Sequence, residues 1–98
     1  MSEVIKLSAP IKAHDEELTE LTLRRPALHE VKAIKSLPYH FSNTGEVIMD
    51  ADIAVRYIPV CAGIPASSVE QIDLFDLNNI TWQIVSFFIT PASATLKA

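Results

Sequence analysis

Three histidines and their acidic neighbours are the residues best suited to metal chemistry, and their spacing completes no known site. His29-Glu30 begins the helical His-Glu-x-x-His pattern, in which two histidines one turn apart hold zinc. The second histidine would fall at position 33, which is Ala33. His14 and His40 have no cysteine or histidine partner at a short ligand spacing. We therefore expect no metal, and a small hydrolase or metal-dependent enzyme lacks a complete set of residues.

The acidic residues also fall short of a site. Asp50 and Asp52 resemble the start of a calcium loop, but Ala54 and Val55 stand where that loop needs a ligand and a glycine. We interpret the two aspartates as first-turn acids of a helix, where the helix dipole favours negative charge. The acidic run 15–17 is expected to be a solvated turn, because it lacks the burial that perturbs a carboxyl pKa.

Nucleophilic and nucleotide chemistry are equally unsupported. Cys61 lies in an apolar run and is expected to be a small core residue. With only Gly45 and Gly63 in the chain, neither a phosphate-binding loop nor a nucleophile elbow can form. The sequence thus predicts a protein that is not an enzyme and needs no cofactor.

Composition predicts one domain over residues 1–98, with a frayed tail at 92–98. The chain is 98 residues long, 49% apolar and 20% charged, with a net charge of −4. The acidic balance argues against a nucleic-acid partner. The start carries no signal-peptide pattern, and the longest apolar stretch, 80–89, is about half the length that spans a membrane. We therefore expect a cytoplasmic protein with no membrane contact, and its mean hydropathy of +0.24 is high for that class.

An N-terminal β-hairpin is predicted over about residues 4–24. Apolar residues alternate with polar ones from Ile5 to Ala13 and again from Thr19 to Leu23. Pro10 cannot donate to a strand ladder, which favours an edge strand or a break at residues 8–10. The connection lacks an Asn-Gly or Asp-Gly pair, so we expect a loop of about four residues.

Helices are predicted for the rest, making the chain an α+β protein. Pro26 suits the first turn of a helix, and Asn43, Ser67 and Asp76 have the spacing of N-caps. Pro59 predicts a kink or an early end in the second helix. The predicted helices span about residues 26–37, 44–62, 67–72 and 77–90.

The last predicted helix has more apolar surface than one core contact needs. Its main apolar face contains Leu77, Ile80, Ile84, Phe87 and Phe88. A second apolar stripe, on the flank of the first, contains Trp82, Val85 and Ile89. This helix is either packed on two sides or presents the stripe to a partner helix, and a buried Trp82 would exclude the second interpretation. The open edge of the hairpin offers a further place where a strand could add.

Six short segments follow one another in an order that is shared with a known family. They are 10–14, 18–26, 51–56, 62–65, 68–72 and the helix from Asp76 to Phe88. Together they resemble the tail assembly chaperones of Mu-like, long-tailed bacteriophages, over about residues 4–89. Asp15, Ala27 and Pro59 depart from the family pattern, which tends to have a glycine in the hairpin turn and a capping threonine after the proline.

The resemblance implies a non-catalytic phage or prophage protein that assists tail assembly in the bacterial host. Such proteins bind the long, helical, aggregation-prone tape measure protein, contact other tail proteins, and are not expected in the finished virion. They often have a longer product made by ribosomal frameshifting. The alternatives are a structural tail component that stays in the virion and a small protein-interaction domain.

Overall fold

The computed structural model describes residues 2–90 and has two β-hairpins and four helices in that range. The predicted α+β class and the N-terminal hairpin are confirmed. The tail at 92–98 lies outside the described residues. In chain order the elements are β1 (Ser2–Ala13), β2 (Glu16–Arg24), α1 (Leu28–Ile34), β3 (Tyr39–Phe41), β4 (Val47–Met49), α2 (Ala51–Ala62), α3 (Ala66–Val69) and α4 (Leu74–Ile89).

A two-residue turn joins β1 and β2, so the expected four-residue loop is wrong. His14 and Asp15 both have positive φ, 53° and 63°. Two such residues match the twist of a tight hairpin, and Asp and His enter this region more readily than most residues. The ring Nε2 of His14 lies 3.2 Å from the carbonyl oxygen of Gly63, which brings the turn to the end of α2.

The pairing of β1 with β2 is interrupted by a wide bulge. Lys6 pairs with Glu20, and the next pair joins Ile11 to Leu18, so four residues of β1 stand opposite one of β2. Pro10 lies in this bulge, where a residue without an N–H costs no ladder bond. The strand therefore continues through the proline, but its N–H groups at residues 8 and 9 need partners elsewhere.

The buried carboxylate of Asp76, in the first turn of α4, supplies those partners. The Ser8 N–H donates to both carboxylate oxygens, at 2.8 and 3.0 Å. The Ser8 hydroxyl and the Ala9 N–H donate to Oδ2 at 3.0 and 3.3 Å. Asp76 is 0% exposed, so the bulge and the carboxylate satisfy each other without water.

Helix α4 begins three residues before the prediction, and Asp76 is not its N-cap. The cap is Asp73, whose carboxylate accepts a hydrogen bond from the Phe75 N–H at 3.0 Å. An aspartate side chain at either position could cap a helix. Asp73 caps α4 because the Asp76 carboxylate is hydrogen-bonded to β1. The helix ends at Ile89, with Thr90 in an extended conformation.

A short second hairpin replaces the first seven residues of the predicted helix 44–62. Strands β3 and β4 pair from Tyr39–Met49 to Phe41–Val47. The Ser42 hydroxyl accepts hydrogen bonds from the N–H groups of Thr44 and Glu46, which closes the turn. The predicted N-cap at Asn43 is therefore wrong, because Asn43 lies in the turn of this hairpin.

Helix α2 starts after this hairpin and continues past Pro59. Asp50 is its N-cap and accepts a hydrogen bond from the Ile53 N–H at 3.4 Å. The helix runs to Ala62, so the early end predicted from Pro59 is wrong, and Gly63 ends the helix in a left-handed conformation (φ 68°). On the surface of α2, Asp52 and Arg56 form an ion pair at 3.5 Å.

The other two helices are shorter than predicted. Helix α1 ends at Ile34 because Lys35 adopts a left-handed conformation (φ 69°), so Leu37 lies beyond it. Helix α3 is a single turn capped by Pro65, not by Ser67. Ser68, the next residue of α3, donates its hydroxyl to the Lys12 carbonyl at 2.7 Å, which fixes α3 to β1.

The core lies between the first hairpin, α2 and α4. Leu23, Tyr57, Ile58, Ile80 and Ile84 have no exposed surface. The exposed Leu28 and Leu37 of the predicted first helix contribute little, and Val31 and Ile34 pack against the core edge. The buried cluster consists of Ile11, Ala13, Leu21, Leu23, Tyr57, Ile58, Cys61, Ile64, Val69, Ile72, Ile80, Ile84 and Phe87.

Arg24 and Glu30 join the end of β2 to the start of α1. Two guanidinium nitrogens of Arg24 donate to the Glu30 carboxylate, at 2.8 and 2.6 Å. The Ala27 N–H donates to the same carboxylate at 2.8 Å. These bonds, from Arg24 first and Ala27 second, lower the pKa of Glu30 from 4.5 to about 2.

Removing the buried carboxylate of Asp76 is expected to destabilise the protein more than removing the exposed carboxylate of Asp52. Asp76→Ala leaves the N–H groups of Ser8 and Ala9 without their acceptor, at a cost of about 2–4 kcal/mol in the free energy of unfolding. Urea denaturation of the variant and the wild type measures this difference in the free energy of unfolding. Asp52→Ala, in the corresponding first turn of α2, is the control and should cost less than about 1 kcal/mol. Equal losses would contradict the role of Asp76.

The Glu30 network predicts an acid-dependent part of the stability. The folded pKa lies below the ordinary value, so the ionised carboxylate stabilises the fold above about pH 4.5. That contribution is lost as the pH falls through the interval to about 2. The stability difference between wild type and Glu30→Gln should therefore shrink from pH 6 to about 2, measured by thermal unfolding. Glu20→Gln, on the exposed side of β2, controls for loss of one negative charge, and a pH-independent difference for Glu30→Gln would contradict the assignment.

Candidate partner-binding surface

The outward face of α4 presents three large apolar side chains in one line. Phe75, Trp82 and Ile89 are seven residues apart, which places them on one side of the helix two turns from each other. They are 66%, 43% and 47% exposed. We call these three residues the outer column of α4.

The three predicted partner-binding residues do not lie on the same side of α4. Trp82 and Ile89 lie on the exposed face, whereas Val85 is 0% exposed and belongs to the buried side. Val85 therefore packs on the buried side of α4 and offers no surface to a partner in this conformation. Trp82 is not buried, so the interpretation of α4 as a helix covered on two sides does not hold for its outward face.

Sequence reasoning missed Phe75. A helix that starts at residue 77 leaves Phe75 outside it. The signal was the exact seven-residue interval from Phe75 to Trp82 and on to Ile89, which is visible once the helix begins at Leu74. Leu74, 80% exposed, adds apolar surface at the same end of α4.

Helix α4 contributes no charge beside Trp82 and Ile89, whereas Asp73 and Asp76 flank Phe75 in the chain. From Leu77 to Thr90 the chain contains no ionisable side chain. Asn78 and Asn79 are exposed, and Gln83 and Ser86 are bonded to each other through a 3.1 Å contact from the Gln83 amide to the Ser86 hydroxyl. A partner on this face meets apolar rings bordered by amides and a hydroxyl.

Aromatic contacts hold the inner side of α4 in place near its C-terminal end. Phe88 packs edge-on against Tyr57, with ring centres 5.4 Å apart, and also meets Tyr39 at 6.1 Å. The Tyr57 hydroxyl donates to the Ser36 carbonyl at 2.5 Å. Arg25 lies 6.0 Å from the Phe87 ring centre and donates to the Thr90 carbonyl at 3.1 Å. The outer column therefore sits on a helix fixed at both ends.

The edge of β1 is partly occupied by the protein itself. Beyond the Asp76 contacts, the Lys12 N–H donates to the Gln71 side chain at 2.8 Å, and the Gln71 amide donates back to the Lys12 carbonyl at 3.1 Å. Strand addition along residues 8–12 would have to break these bonds. The hairpin edge is thus a poorer docking place there than the sequence suggested.

The groups with catalytic potential are inert or dispersed. Cys61 is 2% exposed, and burial raises the pKa of its thiol to about 11, which disfavours the reactive thiolate. Within residues 2–90 no three His, Cys, Asp or Glu side chains are grouped as metal ligands. No helix of that region is long and apolar enough to cross a membrane.

A concavity of about 400 Å³ lies between α2 and α3. Its walls are mostly apolar, with Arg56 and Glu70 among them. Pro59 and Val69 face it as well. The groove contains no pair of groups suited to acid–base or nucleophilic chemistry.

Comparison with known proteins gives one family. The family described as phage tail assembly chaperone proteins, E, or 41 or 14, matches residues 4–89. No curated protein and no solved structure matches the chain. The family match begins at residue 4 of β1 and includes the rest of the first hairpin, the second hairpin, α1 to α4 and the outer column. The chain is therefore a member of the phage tail assembly chaperone family.

Proposed function

We propose that this protein binds the tape measure protein of a phage or prophage during tail assembly, in the cytoplasm of the bacterial host, and catalyses no reaction. Membership of the chaperone family supports a role in assembly. Within residues 2–90 no three His, Cys, Asp or Glu side chains are grouped to hold a metal ion, which is compatible with a binding role. Other tail proteins are secondary partners in this proposal.

The exposed outer column is the observation that carries the proposal. A long helical client has apolar faces that aggregate before assembly covers them. A small acidic protein that covers such a face keeps the complex soluble, and this chain has a net charge of −4. Trp82 and Ile89 supply the contact surface, Val85 supports them from the buried side, and Phe75 extends the surface toward the start of α4.

Co-expression with the tape measure protein of the same genome tests the proposal. We expect the two proteins to co-purify and the soluble yield of the tape measure protein to rise. Trp82→Gln should reduce the co-purified amount about tenfold or more, because a central aromatic contact is typically worth about 2 kcal/mol of binding. Circular dichroism of the variant confirms that it folds.

Leu28→Gln is the matched control, since Leu28 is also exposed and apolar but lies on α1. This variant should retain the tape measure protein at the wild-type level. The proposal is contradicted if wild type neither co-purifies with the tape measure protein nor improves its solubility. Detection of this chain at a fixed stoichiometry in purified virions would favour a structural tail component instead.

A further inference from the structure

We draw no further inference here: the strongest candidate, the mostly apolar groove between α2 and α3 that Arg56 and Glu70 help to line, carries none because nothing in the structure shows what covers it.

Discussion

The hydrogen bonds between Asp76 and the bulge of β1 are the constraint on which the arrangement of this protein depends. Four residues of β1 leave the ladder opposite a single residue of β2, and the N–H groups freed at Ser8 and Ala9 are satisfied by one buried carboxylate. A charge without exposed surface is costly unless several donors surround it, and here three groups do so. The first turn of α4 is thereby fixed to the hairpin, and the direction of the whole helix follows.

Fixing α4 in this way decides which of its apolar residues face the core. Ile80, Ile84 and Val85 turn inward and lose all exposed surface, while Trp82 stays on the opposite side. The contacts of Phe88 with Tyr57 and Tyr39 secure the other end. The high apolar content of the chain is thus divided between a core and an outward surface, and that division links the fold to a chaperone's need for an apolar contact.

Sequence patterns predicted the parts of the fold that depend on local periodicity. Alternation located the first hairpin, and helical periodicity identified the main apolar face of the last helix. The errors arose where tertiary contacts decide between local options. Asp73 and Asp76 are equally good caps by type, and only the bulge of β1 determines which one caps. Strands β3 and β4 have three residues each, too few for a periodic signal, and the turn at Ser42 has the same spacing as a helix cap.

The same limit explains how far the binding surface could be anticipated. Trp82 and Ile89 were identified from their places on the helix, but Val85 turns inward, and Phe75 entered the surface only when the helix start moved to Leu74. A helical wheel separates faces but cannot show how wide the buried arc is. That width depends on the neighbours of α4, which include β1 at the start of the chain and α2 in its middle.

Fluorine NMR can show whether the outer column contacts the tape measure protein, as we propose. Incorporating 5-fluorotryptophan labels this chain at Trp82 alone. On addition of unlabelled tape measure protein, we expect the single resonance to shift and to become less sensitive to exchange of H₂O for D₂O. An unchanged resonance and unchanged solvent sensitivity in a complex shown to be intact by co-purification would contradict it.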